Sequence, residues 1–395
     1  MVLLLMSNIQ CLYCNEELDK NIGVNFGLVP MTPNALEKGV LLKGGSFFEY
    51  ELIITVCAHC GLIQQYYPPD PNILYFRFKN ESVGAKWKRH YQQFTDFIME
   101  SYWNDSLVLE VGAGDLNLAN MLIEKGIGGI TTIDKNIIST NLYPKINHID
   151  GFLEEIEFKK KFDVVYSSHV FEHVSNIKNH LSKITAILNN GGHFIFSLPD
   201  FQKWIENFHI NAFSQEHTIY PLPENIEKML TDFGFNIKRI FEFESHSLFI
   251  DAEYESNIVP TNLGLTYEKN LKMVKEFKRR FDSLIRFLVN NVKQSKIFMF
   301  GANSSTQIIL KNWLGQEQKN ITILDNAKIK ENKYLYGFNY LVKNPIVLKD
   351  RTDVEETIIL IFTGAYVQEI KEQVLGINDK LYIITTEDFA KSKPS

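Results

Sequence analysis

Hydrophobic residues along this chain gather into short, near-continuous runs with helical-period stretches between them, the pattern of parallel strands buried on both faces and joined by helices. The run at residues 107–111 stops at two glycines one residue apart, Gly112 and Gly114. It reads as a buried strand turning sharply into a helix, where glycine lets backbone N–H groups approach a ligand. A second run over 129–133 ends in Asp134, and later runs predict strands at 162–169, 193–200, 236–242 and 246–254. Helical periodicity occupies 83–102 and 170–188, the latter ended by Gly191 and Gly192. A long charged helix over 267–292 leads to four more runs, at 296–300, 321–324, 357–362 and 381–384, the first turning at Gly301. Residues 25–35 are extended and turn-rich, and 45–56 alternate enough for a strand pair. The pattern predicts an α/β protein of three parts: a small N-terminal unit over 1–75, a Rossmann-like core over 76–262, and a helical linker with a second Rossmann-like unit over 263–395.

Composition narrows the class. A chain of 395 residues is long enough for two or three sizeable cores, and 45% apolar with 22% charged residues is ordinary for a globular protein. The net charge of -6 leaves no electrostatic footprint for nucleic acid. The first six residues are apolar without a preceding positive charge or a small-residue cleavage site, so no signal peptide is expected, and no run approaches membrane-spanning length. Four cysteines are too few for a disulfide framework in a chain of this size and suggest a reducing cytoplasm. The expected partner is a small molecule, on a monomer or dimer, with neither nucleic acid nor membrane.

All four cysteines sit in two CxxC knuckles, Cys11 with Cys14 and Cys57 with Cys60. Four thiolates can close a tetrahedral zinc site, and the 42 residues between Cys14 and Cys57 are enough for a small ribbon. A redox CxxC normally stands alone on a helix N-terminus in a thioredoxin-like pattern, which is absent. With four protein ligands the zinc keeps no open position and is expected to staple the fold without entering the chemistry.

Two cofactor classes use a strand, a glycine turn and a second strand ending in an acid. A dinucleotide favours a third glycine where this chain has Asn117. Glu110 and Asp115 would make its pyrophosphate unwelcome, yet both suit S-adenosylmethionine (SAM), which carries an ammonium and a sulfonium. Asp134 can accept both hydroxyls of a ribose, or simply cap its strand. The turn at Gly301 lacks a partner glycine, so a second cofactor is not expected there; that unit reads as scaffold or as a wall for a substrate.

A second informative stretch, 211–221, falls after a strand's carboxyl end, on the side where α/β folds bind ligands. Glu216, His217 and Tyr220 offer an acid to orient an imidazole, a base near neutral pH, and a phenol. The plain alternative is a solvated loop. An aromatic linker with Tyr66, Tyr67, Tyr75, Phe76 and Phe78, and the following helix with Trp87, His90 and Tyr91, would pack between units or form a wall or lid.

The order of strands over 107–200 resembles the class I SAM-dependent methyltransferases. That resemblance implies that Gly112 and Gly114 pass under the methionine part, Asp134 holds the ribose, Asp150, Gly151 and Phe152 flank the adenine, and His169 sits beside the methionine end. Adding the paired knuckles, the Gln215-Glu216-His217-Thr218-Ile219-Tyr220 segment and Asp325-Asn326-Ala327-Lys328, the chain from Cys11 to about Phe389 resembles the C-methyltransferases of nucleotide-linked keto-deoxysugars. The family implies a zinc-binding N-terminal domain and a base, here His217, that removes a proton alpha to the sugar ketone before methyl transfer. Glu216 would orient that base or hold a sugar hydroxyl, and a tyrosine of the linker would complete the pocket. The family's Tyr-His is replaced here by Ser214-Gln215, and its linker tyrosine aligns poorly. These departures keep two alternatives open: O- or N-methylation of a glycan or other small acceptor, and a zinc-stapled scaffold without catalysis.

Overall fold

The computed structural model describes residues 9–19, 21–37, 49–69, 84–103, 105–135, 144–256, 258, 266–292, 296–314 and 320–391. The opening apolar run and linker residues Tyr75, Phe76 and Phe78 lie outside them. The chain begins with β1 (Val24–Pro30), β2 (Ala35–Leu36), β3 (Glu49–Val56) and β4 (Ile63–Gln65). It continues through α1 (Ala85–Met99), β5 (Val108–Val111), α2 (Asn117–Glu124), β6 (Ile130–Asp134), β7 (Ile146–Asp150), β8 (Phe162–Ser168), α3 (Ile177–Ile187) and β9 (Leu188–Pro199). Next come α4 (Phe201–Glu206), β10 (Ile219–Tyr220), α5 (Pro223–Asp232), β11 (Phe235–Phe243) and β12 (Ser247–Tyr254). The last part holds α6 (Tyr267–Asn291), β13 (Lys296–Phe300), α7 (Ser304–Leu314), β14 (Ile321–Leu324), β15 (Tyr334–Leu335), β16 (Val342–Lys343), β17 (Thr357–Ile361), α8 (Val367–Ile377), β18 (Tyr382–Thr385) and α9 (Thr386–Lys391).

A seven-stranded central sheet has the order β11-β12-β9-β8-β5-β6-β7, in which β12 alone runs antiparallel to the other six strands. All four residues of β5 are buried, as its apolar run required. From β5 the chain moves outward to β6 and β7, then crosses to β8 on the other side. The reversal opens a crevice above the carboxyl ends of β5 and β8. A five-stranded parallel sheet, β16-β14-β13-β17-β18, repeats the device with its crevice between β13 and β17.

The N-terminal strands are completed from elsewhere. The sheet runs β1-β3-β4-β10, and β10 belongs to the 211–221 stretch that follows the carboxyl end of a central-sheet strand. Gly191 and Gly192 also depart from expectation: α3 ends at Ile187 and both glycines lie inside β9. On α6, Leu271, Val274, Phe277, Phe281, Leu284 and Leu288 recur at three- and four-residue intervals and are buried. Phe277 and Phe281 pack on Phe26 of β1, and Phe277 also meets Phe213, so one core joins the first and last parts of the chain. Among the described residues no helix is long and apolar enough to cross a membrane.

Candidate active site

The carboxyl ends of the two parallel sheets open onto one cleft of about 810 Å3. Gly112, Asp134 and His169 line it from the central sheet, and Gly301, Asn303 and Tyr366 from the C-terminal one. The turns are built alike. Gly114 N–H donates to Asp134 Oδ2 at 2.9 Å, and Ala302 N–H donates to Asp325 Oδ2 at 2.8 Å.

The two glycines after β5 serve different ends. Both have positive φ, 76° at Gly112 and 46° at Gly114. A Cβ on Gly112 would lie 2.3 Å from Val170 Cγ2, whereas one on Gly114 would meet nothing within 4 Å. Packing therefore requires Gly112, and Gly114 leaves bare backbone facing the cleft, the setting a SAM molecule needs. Beneath the turn, Glu110 is buried with Oε2 lacking a hydrogen-bond partner. Burial pushes its carboxyl well up, against the opposing effect of the Tyr166 phenol. A carboxyl so raised repels a phosphate less than an ordinary carboxylate does, which leaves Asp115 as the stronger reason for a pyrophosphate to be unwelcome at this turn. Gly151 and Phe152 line the cleft. Asp150 does not: its side chain is 73% exposed and pairs with Lys135 at 3.6 Å.

His169, with φ 53°, joins a hydrogen-bond chain that crosses the cleft wall. Its Nδ1 lies 3.1 Å from Glu172 Oε1 and its Nε2 is 2.9 Å from Ser247 Oγ. Ser247 Oγ is 2.6 Å from His246 Nδ1, and His246 Nε2 is 2.6 Å from the Tyr366 hydroxyl. Burial alone would raise the Glu172 carboxyl, but the hydrogen bond from His169 and the imidazoles of His169, His173 and His217 hold it below its ordinary range. With Glu172 ionised, Tyr366, His246, Ser247 and His169 donate in turn toward it. Trp87 of α1 packs on His169 at 5.0 Å and lines the cleft with Tyr91, so the aromatic helix is wall as well as packing.

Glu216 and His217 both reach the cleft, but not as a pair. Glu216 Oε1 accepts from Ser304 Oγ at 2.9 Å, and His217 Nδ1 has no hydrogen-bond partner. Glu216 does not orient the imidazole; its carboxyl is raised by burial, opposed chiefly by His173. Burial lowers His217 to about 3, His173 adding to the effect and Glu172 opposing it, so the ring is neutral at pH 7. Tyr220 is corrected more fully: it is wholly buried, donates to the Ser214 carbonyl at 3.0 Å and does not line the cleft. Its phenol props the loop from behind.

What aims the loop is Gln65 of β4. Its Nε2 donates to the carbonyls of Ser214 (3.0 Å), Gln215 (3.2 Å) and His217 (2.7 Å), and its Oε1 accepts from the Tyr50 hydroxyl at 3.1 Å. Nothing in the sequence singled out Gln65 or Tyr50. For Glu172 and His173 a signal existed, since the Glu-His dipeptide occurs twice and the two copies meet in the cleft.

The cysteines converge. Cys11 Sγ is 3.6 Å from Cys60 Sγ and Cys14 Sγ is 3.5 Å from Cys57 Sγ, too far for disulfides and close to the roughly 3.8 Å edge of a tetrahedron with 2.3 Å zinc–sulfur bonds. All four sulfurs lie within 4.8 Å of one another and fit a zinc ion. The cluster is tied to the core by Asn225 Nδ2, which donates to the Cys60 carbonyl at 3.3 Å, and by Leu12 N–H, which donates to Gln64 Oε1 at 3.0 Å.

A family model described as a methyltransferase domain matches residues 76–240. The chain is an enzyme of the SAM-dependent methyltransferase class, with its class I α/β domain built on the central sheet. Over 170 residues it is 26% identical to the ubiquinone biosynthesis O-methyltransferase of Rickettsia canadensis (strain McKiel), covering 37% of this chain and 71% of that protein. It is 27% identical over 183 residues to the enzyme of that name from Rickettsia akari (strain Hartford), covering 40% and 66%. Among solved structures, a SAM dependent methyltransferase from Mesorhizobium loti covers 43% of this chain and 98% of its own, with a TM-score of 0.35 and 13% identity.

Proposed function

We propose that this methyltransferase forms a carbon–carbon bond on a nucleotide-linked keto-deoxysugar, with His217 as the base that removes the proton alpha to the ketone. The observation that carries the reading is a neutral imidazole whose Nδ1 makes no hydrogen bond, in the same cleft as the Gly114 turn and Asp134. The nearby Glu172 carboxylate favours the imidazolium that forms when the proton arrives. Asp134 and the bare backbone at Gly114 would hold the ribose and methionine ends of SAM, and Gly151 and Phe152 the adenine. SAM supplies an electrophilic methyl on its sulfonium. Glu216 and Ser304 are disposed to take a sugar hydroxyl between them. The C-terminal sheet acts as a second Rossmann-like unit closing the cleft over the acceptor, and a structural zinc in the four thiolates stiffens β4, which carries Gln65.

Incubation with SAM and a panel of nucleotide keto-sugars tests the reading by mass of product. In His217→Ala, turnover and SAM-independent exchange of the alpha proton should both vanish while calorimetric SAM binding persists. Exchange surviving in that variant removes His217 as the base. A second reading, methylation of oxygen on a small acceptor, is favoured by the relatives named as O-methyltransferases and by Ser214-Gln215 in place of the Tyr-His pair. It predicts product without any alpha-proton exchange.

A further inference from the structure

We propose that Glu172, His173 and His217 form a second metal site, distinct from the cysteine cluster, for a first-row divalent ion with open coordination positions facing the cleft. One ligand atom from each of the three lies within 4.8 Å of the other two, and all three residues line the cavity. Two imidazoles and one carboxylate are a donor set that such ions take readily.

Each side chain is already turned for the task by a neighbour. His173 Nδ1 is 2.9 Å from the Glu216 carbonyl oxygen, which fixes the proton on Nδ1 and leaves Nε2 toward Glu172, 3.9 Å from Oε1. Glu172 has Oε1 beside His169 Nδ1 at 3.1 Å, and Oε2 is buried without a partner. His217 is held by its own carbonyl, which accepts from Gln65 Nε2 at 2.7 Å, and its buried Nδ1 lacks a hydrogen bond. A ligating histidine whose other nitrogen is tied to a carbonyl, and a ligating carboxylate that is itself hydrogen-bonded, are the outer-shell supports metal sites use. Bonds of about 2.0–2.2 Å put ligand atoms roughly 3–3.5 Å apart, so side-chain shifts of about 1 Å close the site.

This inference shares one residue with the proposed base. With a metal ion on the His217 imidazole that nitrogen cannot take a proton, so ion binding and proton abstraction by His217 exclude one another.

The test uses the full chain with its cysteine cluster loaded with zinc, titrated with Co2+. One further equivalent should bind with visible d–d bands and no thiolate charge-transfer band, which separates a nitrogen and oxygen site from the cysteines. Glu172→Gln and His173→Ala should each weaken it by about a hundredfold, and His173→Gln, which keeps the volume, should do the same while SAM binding reports the fold. No additional equivalent, or one retained in all three variants, overturns the site. Turnover is read separately. If bound Co2+ slows the keto-sugar reaction, both readings stand; if it is required, the metal site stands and the base assignment falls. If no keto-sugar reacts at all while Co2+ binds as described, the sugar reading fails and the site survives.

Discussion

The two glycines after β5 give the sharpest separation of stability from binding. In Gly112→Ala the new Cβ meets Val170 Cγ2 at 2.3 Å with backbone φ at 76°. A left-handed conformation costs a non-glycine residue about 1–2 kcal/mol, and overpacking a tight core adds about 1–3 kcal/mol, so a loss of about 2–5 kcal/mol is expected. Gly114→Ala incurs only the conformational cost of about 1–2 kcal/mol, because nothing lies within 4 Å of its Cβ. That Cβ instead enters the space assigned to SAM, and affinity should fall tenfold or more, at least about 1.4 kcal/mol. Urea unfolding measures the first quantity and calorimetric titration with SAM the second. Val170→Ala in the Gly112→Ala background should return the overpacking share, since the two side chains are in contact. Equal destabilisation by both glycine variants, or unchanged SAM affinity in Gly114→Ala, refutes the division of roles.

Gln65→Leu strands the His217 carbonyl and takes one donor from the Ser214 and Gln215 carbonyls, which keep the Tyr220 and Tyr50 hydroxyls, and should cost about 1–3 kcal/mol; turnover should fall more than SAM affinity, which kinetics and calorimetry on one preparation compare. Cys14→Ser should reduce bound zinc, measured by elemental analysis, and lower the melting temperature, because the cysteines pack in the same apolar core as the central sheet. For pH, burial lowers His209 to about 4 and His217 to about 3, while the unfolded chain binds these protons near pH 6.5. Their contribution is therefore complete above about pH 6.5 and is lost as pH falls toward those values, with a slope of up to about 1.4 kcal/mol per pH unit for each. Glu110 and Glu216, raised by burial, act in the opposite sense, so the measurement is the difference in unfolding free energy between wild type and His209→Gln across pH 4–7. A difference that does not change with pH contradicts the assignment.

The alternating runs and helices were legible because a strand buried on both faces must be apolar throughout. The bounds predicted for β5, β6, β13 and β17 fall within a residue or two of those observed. The Gly112 turn and the acid at Asp134 were legible for a similar reason: a turn that brings backbone to a ligand admits few residue types. Side-chain direction was not. Glu216 and His217 are adjacent in sequence, yet one bonds to Ser304 and the other points among His173 and Glu172, because the chain bends at Gln215 and Glu216 while Gln65 holds the Gln215 and His217 carbonyls. Tyr220 resembled a reagent and is a prop, since its phenol found a carbonyl inside the loop before it could reach the cleft.

The sequence by itself determined which segments are strands, where backbone must bend through glycine, and that four thiols come in two ligand-like pairs. Each of these follows from local sterics or local spacing. Only the tertiary structure decided that two sheets point the carboxyl ends of their parallel strands into one cleft, that a strand from the 211–221 loop completes the N-terminal sheet, and that Glu172 and His173 stand beside His217. Those outcomes depend on contacts between residues tens to hundreds of positions apart, whose pairing is fixed by how the apolar faces of β1, α6 and α7 bury against one another in the common core.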